Sequence, residues 1–250
     1  PQQADLARLL GQIAGEPFEV ALLANSGSEA VEAGIKLARA ATGRFELGYC
    51  KGGFHGTTLG TLSIMGAPRM RAPFEPLLSG CHWVPFGDLS GLHGMLKSKP
   101  LAAVVMEPLQ AEGGVMPAPA GYLEAVRALC DEREVLLIAD EVQTGLGRTG
   151  RWFGFEHGED VRPDVVALAK ALGNGMPIGA CWARDEVAAA FRAKPDGSVS
   201  SMAKAESVSV DESSAVGPEP EASTTFGDEP FFKIIPTRRR TAGCQACNHR

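Results

Sequence analysis

Short, uninterrupted apolar runs alternate with alanine-rich amphipathic segments along residues 1–195, and this alternation constrains the fold more than any other feature. Seven runs qualify as strands: 19–24 (EVALLA), 45–50 (FELGYC), 82–86 (HWVPF), 102–108 (AAVVMEP), 135–142 (VLLIADEV), 165–169 (VVALA) and 178–183 (IGACWA). Their apolarity is continuous rather than alternating, the pattern of strands covered on both faces. Residues 28–42, 57–66, 88–98 and 119–133 read as helices, each opened by Ser, Thr, Asp or a Pro/Gly turn. Strand and helix in alternation build βαβ units, so the expected architecture is α/β: a mostly parallel sheet of about seven strands flanked by helices.

The chain of 250 residues, 44% hydrophobic, suits one large α/β domain or such a domain with an appendage. A net charge of −6 with only short basic clusters calls for neither a nucleic acid nor a membrane surface, which leaves a small-molecule site. No apolar run approaches the roughly 18–20 residues that span a bilayer. The six cysteines are scattered in apolar or helical contexts, as packed free thiols in a reducing compartment would be. The Cys244-x-x-Cys247 pair near His249 suggests metal or redox chemistry, but it has no second ligand pair and opens no βα unit. The start is neither a signal peptide nor a transit sequence and lacks an initiator Met, so the N-terminal segment is expected to be missing. The expected compartment is the cytoplasm, or an organelle matrix if a transit peptide was lost with that segment. Residues 194–223, rich in Ser, Pro, Glu and Asp, read as a disordered insert or linker. Residues 224–250 follow as a divergent tail with a short apolar stretch, FFKIIP, and a basic end.

Five stretches of the first part could carry chemistry. In 25–41, Asn25-Ser26-Gly27-Ser28 leaves a strand and opens a helix, where backbone N–H groups and the helix dipole favour an anion. An ordinary N-cap at Ser28, with Glu32 one residue beyond capping-box spacing, fits the same letters. In GGFHG (52–56), small residues bring Phe54 and His55 close to a ligand, or anchor a buried loop. Glu107 and Glu112 lie at and beyond the C-terminal end of a strand, where open α/β sheets bind ligands, though solvated loop acids look the same. Asp140 ends a buried strand and needs a cationic partner there. The neighbouring Gly145-x-Gly147-x-x-Gly150 matches a dinucleotide fingerprint, but no alanine-rich helix follows it. Lys170 ends VVALA, where partial desolvation would lower its pKa and free the amine to attack a carbonyl, and glycines 173, 175 and 179 leave room beside it. An anion seat, a ring face, an acid and an amine in this order meet the needs of pyridoxal 5'-phosphate.

The motifs SGSEAVEAGIKLAR, GGFHG, EPLQAEGG, ADEVQTGLGRTG and LAKALGNGMPIGA occur here in the order of a known family. The chain resembles the class III aminotransferases of the acetylornithine/ornithine type, over about residues 18–192. The resemblance implies the large domain of a fold type I pyridoxal-phosphate enzyme over 1–193, working as a homodimer with a shared active site. It implies that Lys170 forms the internal aldimine and that Asp140 pairs with the pyridinium nitrogen. Gly27 and Ser28 would hold the phosphate, Phe54 would stack on the ring, Gln143 would lie near its hydroxyl, and Glu112 would belong to a substrate-gating region. The implied reaction is a ping-pong transfer of an amino group from an ω-amino donor such as N-acetylornithine or ornithine to 2-oxoglutarate. Members that bind acetylornithine or 4-aminobutyrate usually carry Arg where this chain has Thr57, which keeps an ω-amino acid aminotransferase or aminomutase open. STTFGDEP (223–230) resembles the segment whose Thr reaches the other subunit's phosphate and makes Thr225 the candidate, although Asp228 and Glu229 replace Gly-Asn. The family's small domain is expected to be absent, and with it the carboxylate-clamping arginine, so a chain that only binds cofactor is a further alternative.

Overall fold

The computed structural model describes residues 2–15, 18–191 and 234–236, and within them all seven apolar runs are strands. In chain order the strands are β1 (Phe18–Ala24), β2 (Glu46–Lys51), β3 (Cys81–Pro85), β4 (Leu101–Met106), β5 (Leu109–Gln110), β6 (Met116–Pro117), β7 (Leu136–Asp140), β8 (Val165–Leu168), β9 (Gly179–Arg184) and β10 (Ile234–Pro236). The helices are α1 (Gln2–Ala14), α2 (Gly27–Thr42), α3 (Leu59–Ser63), α4 (Pro68–Arg71), α5 (Leu89–Ser98), α6 (Tyr122–Glu132) and α7 (Asp185–Ala188). Eight strands form one sheet in the order β10-β1-β9-β8-β7-β4-β2-β3, and β5 pairs with β6 in a separate ribbon.

Pairings from β3 through β2, β4 and β7 to β8 are parallel. β9 runs antiparallel to both β8 and β1. The reason lies in the link 169–178, which holds one 3-10 turn (Lys170–Leu172) and too little chain for a crossover helix. As a result the C-terminal ends of β1, β4, β7 and β8 and the N-terminal start of β9 share one edge of the sheet. β10 lies outside the seven expected strands and pairs antiparallel with β1, Ala21 opposite Ile235.

Both faces of the sheet are covered, which explains why every residue of β4 is buried. On one face α2 contributes Val31, Ile35 and Leu37 against Tyr49, Ile138 and Val165. Gly34 allows the close approach, because a Cβ there would lie 3.2 Å from Val165 Cγ1. On the other face Tyr122, Val126 and Cys130 of α6 pack with Phe18, Phe153 and Trp182. Phe18 and Trp182 stack at 5.7 Å between centroids, and Phe153 and Phe155 at 5.3 Å. Full burial of each such side chain is worth about 1.5–3 kcal/mol. A buried ionic knot fixes the start of β8: Asp164 Oδ2 accepts from Arg127 Nη1 at 2.8 Å and from the Leu137 N–H at 2.7 Å.

The thiols behave as expected for packed hydrophobes. Cys50, Cys130 and Cys181 are buried, Cys81 is half-buried, and all four are free. Burial pushes the Cys181 thiol up to about 12. The insert 194–223, Thr225, Asp228, Glu229 and the Cys244/Cys247 pair lie outside the described residues. Among the described residues no helix is long and apolar enough to cross a membrane, and no cluster of His, Cys, Asp or Glu could hold a metal ion.

Candidate active site

A cavity of about 280 Å³ opens at the shared sheet edge, and every sequence-predicted site residue within the described chain lines it: Gly27, Ser28, Phe54, Glu112, Asp140, Gln143 and Lys170. β1 ends at Ala24 and α2 begins at Gly27, so two residues make the turn. The N-cap is Ser26, not Ser28 as the capping reading had it: Ser26 Oγ accepts the Glu29 N–H at 3.2 Å. Glu29 reaches back to the Asn25 N–H at 2.6 Å. Since Ser26 already satisfies the turn, Ser28 falls inside the helix, where its hydroxyl accepts the Thr57 N–H at 3.2 Å. Glu32 serves the next loop instead, accepting from the Thr58 hydroxyl and the Gly60 N–H, each at 2.8 Å. Gly27 and Ser28 thus keep first-turn N–H groups without intrahelical acceptors beside the cavity, at the positive end of a 16-residue helix.

Two glycines make this convergence possible. A Cβ on Gly27 would lie 2.8 and 2.9 Å from the methyls of Val142, just past β7. Gly56 has φ +123°, and a Cβ there would fall 2.9 Å from the Ser28 Cα.

Asp140 is 2% exposed, and its partner is His55, whose Nδ1–H donates to Asp140 Oδ2 at 2.8 Å. Asp140 Oδ1 also accepts the Val142 N–H at 3.1 Å. Burial alone would depress the His55 pKa, but the hydrogen bond and charge of Asp140, with the charge of Glu107 behind them, raise it. The cation that a buried carboxylate at 140 requires is thus an imidazole from the GGFHG loop, where the sequence alone points only to a stacking or anchoring aromatic. The available signal was that GGFHG supplies the one imidazole next to the ring residue. Phe54 itself is half-buried at the cavity wall, its N–H held by Glu107 Oε1 at 2.9 Å. Desolvation pushes the Glu107 carboxyl up to about 7.

Lys170 departs from expectation in its exposure. β8 ends at Leu168, Ala169 is extended at φ −166°, and Lys170 turns left-handed at φ +46°. This turn carries the residue off the strand, so it is exposed rather than partly desolvated, and it lines the same cavity as Asp140 and Phe54. The glycine-rich 145–150 segment forms turns and opens no helix, in agreement with its rejection as a dinucleotide site. Glu141, buried beside Asp140, ties together the residues on either side of that segment, accepting from the Thr144 hydroxyl, the Gly154 N–H at 2.9 Å and the Phe155 N–H at 2.8 Å. Desolvation raises its carboxyl to about 7.

Residues 1–201 match the aminotransferase class-III family. The chain belongs to that family. Its similarity to the acetylornithine aminotransferase of Methanopyrus kandleri is 50% identity over 196 residues, 78% of this chain and 50% of the relative. The acetylornithine aminotransferase of Corynebacterium efficiens is 53% identical over 169 residues, 67% of this chain and 42% of the relative. The chain therefore spans about half the length of the curated relatives it matches. Among solved structures, the ornithine aminotransferase of Toxoplasma gondii superposes with a TM-score of 0.71 at 32% identity, over 78% of this chain and 48% of that one. The taurine:2-oxoglutarate aminotransferase of Bifidobacterium kashiwanohense, in complex with PLP and glutamate, gives 0.72 at 30% identity, over 76% and 48%. Chemically, the cavity of this class-III family member brings together helix first-turn N–H groups, an aromatic wall, a buried acid–imidazole pair and an amine.

Proposed function

We propose that residues 1–193 form the cofactor-binding large domain of an aminotransferase that uses pyridoxal 5'-phosphate. On this reading it moves an amino group from an ω-amino donor such as N-acetylornithine or ornithine to 2-oxoglutarate, in two ping-pong half-reactions. The single observation that carries the reading is the convergence of Gly27, Ser28, Phe54, Asp140 and Lys170 on one cavity. The residues fit the cofactor feature by feature. The first-turn N–H groups of α2 and the Ser28 hydroxyl suit a phosphate, Phe54 suits a heteroaromatic face, and Gln143 suits a ring hydroxyl. The Asp140 carboxylate, buried on His55, suits a protonated ring nitrogen. The cofactor supplies an aldehyde and an electron-withdrawing ring that accepts charge from the substrate carbon. Lys170 would hold the cofactor's aldehyde through its side-chain amine, and as a free amine it would carry a proton to or from the substrate carbon. Asp140 would face the ring nitrogen, and His55 orients that carboxylate through the Nδ1–Oδ2 bond. Glu112 stands at the cavity wall to gate substrate. Thr225 is proposed as a phosphate contact to a second copy, and the working unit as a homodimer.

Thr57 supports a second reading, another class III activity such as an ω-amino acid aminotransferase or an aminomutase. It follows Gly56, a lining residue of the cavity, gives its N–H to the Ser28 hydroxyl, and offers no positive charge for a distal carboxylate. The test is direct. The purified full chain with pyridoxal phosphate should develop the visible absorption of the cofactor joined to a lysine, and Lys170→Ala should abolish it with the fold intact. Donors (N-acetylornithine, ornithine, 4-aminobutyrate) against 2-oxoglutarate and pyruvate then separate the readings. A visible band that survives Lys170→Ala refutes the assignment.

A further inference from the structure

Glu107 lies one residue past β4, is 3% exposed, and divides its two oxygens between two loops. Oε1 accepts the Phe54 N–H at 2.9 Å, and Oε2 accepts the Ala111 N–H at 3.4 Å. The first loop carries the aromatic wall of the cavity, and the second is the turn that carries Glu112. The two segments also close on each other directly. Gln110 Nε2 donates to the Lys51 carbonyl at 3.1 Å, and a Cβ on Gly113 would stand 3.1 Å from the Gly52 carbonyl oxygen. The two segments are closely packed, and among the described residues the Glu107 carboxylate is the one side chain bonded to both the Phe54 and the Ala111 backbone N–H.

We propose that Glu107 is a positioning residue that couples the Glu112 turn to Phe54, so that displacement of the turn by a substrate changes the pose of the aromatic wall. Its consequence for catalysis rests on the cofactor reading above; the coupling itself belongs to this chain alone. A carboxylate accepts from both loops at once. Glutamine retains one acceptor oxygen and turns an NH2 toward the other N–H, and aspartate is too short to reach both loops.

The test perturbs one loop and reads the other. Gly114 has φ +115° with open space around a Cβ, so Gly114→Ala strains the turn through its backbone alone. In the full chain without cofactor, Gly114→Ala should speed hydrogen exchange of the Phe54 amide by about ten-fold, the scale of one charge-assisted hydrogen bond. In a Glu107→Gln or Glu107→Asp background the same substitution should change Phe54 exchange by less than about two-fold. The aspartate background serves if the glutamine variant does not fold. The coupling is overturned if Gly114→Ala leaves Phe54 exchange unchanged with Glu107 present, or speeds it equally in the variants. With pyridoxal phosphate added, Gly114→Ala should alter the visible circular dichroism only when Glu107 is present; an equal change in the variants counts against the coupling. A wild-type chain that develops no visible band refutes the cofactor reading, and the exchange measurements still decide the coupling.

Discussion

Replacing Gly27 by alanine tests whether the anion seat depends on the missing side chain. The added methyl would meet Val142 Cγ1 at 2.8 Å and Cγ2 at 2.9 Å, while Ala169 Cβ at 3.5 Å tolerates it. Carbon atoms settle at about 3.5–4.0 Å, so both contacts are short by more than half an ångström. Helix α2 is seated on the same sheet through Gly34, where an added Cβ would lie 3.2 Å from Val165 Cγ1, so moving the helix off Val142 opens that packing. Overpacking of this kind costs about 1–3 kcal/mol. For a domain of this size that lowers the melting temperature by about 2–12 °C. Affinity for pyridoxal phosphate should fall about ten-fold as the first-turn N–H groups shift, the loss of roughly one good hydrogen bond. Val142→Ala removes both clashing methyls and alone costs about 1 kcal/mol. If the clash is the cause, the double variant is more stable than the sum of the singles by about 1–2 kcal/mol and regains cofactor affinity. Thermal melts and fluorescence titrations of the four proteins measure both quantities. Strict additivity, or a Gly27→Ala chain as stable and as tight-binding as wild type, refutes the reasoning.

Two further outcomes follow from the buried charges. Unfolded, Glu107 and Glu141 titrate near 4.5, and folded, both are pushed up to about 7, so between these values the native chain holds protons that the unfolded chain has released. Stability therefore falls as pH rises through this window and levels off above it, by about 3 kcal/mol at most for each group. His55, raised in the folded state, acts in the same direction: its contribution is complete below its ordinary 6.5 and is lost as pH rises through its folded value. Melting temperatures of the cofactor-free chain should decline from pH 5 to 8, and a rise across that range would contradict the burial of these groups. Asp140→Asn removes the charge that raises His55, so burial should carry the imidazole pKa below its ordinary value in an NMR titration. Loss of the buried pair should cost about 3–5 kcal/mol, and turnover should suffer far more than cofactor affinity. An unshifted His55 would break the link between the two residues.

Strand positions were legible because full burial on both faces writes itself as continuous apolarity: the run at 135–142 contains β7, and the run at 102–108 holds all of β4 but its first residue, Leu101. The cavity was legible for a related reason: strand ends, and the turn after β1, put Asn25–Ser28, Glu107, Asp140 and Lys170 on one edge once the strands are parallel. Less local features were hidden. Ser26 and Ser28 are equally good capping letters, and only the two-residue exit from β1 decides between them. The His55–Asp140 bond joins residues 85 positions apart, so no spacing rule anticipates it. The same holds for Glu107, which read as one of two loop acids and is the buried one, while Glu112 is exposed. Helix α1 carries Ala7 and Leu10 inward, but its polar outer face resembles a linker, and β10 is three residues whose pairing with β1 depends on a strand more than two hundred positions away.

The left-handed backbone at Lys170 has a bearing on how the site is held ready. A residue with a Cβ is disfavoured at φ +46° by about 1 kcal/mol relative to glycine, so folding energetics alone favour glycine at that position. Asn174 repeats the conformation at φ +45°, and Gly175 follows at +108°, which makes the span between β8 and β9 the least relaxed backbone around the cavity. The amine is thereby mounted on a turn that the β8–β9 pairing, which ends at Leu168 opposite Ala180, does not hold.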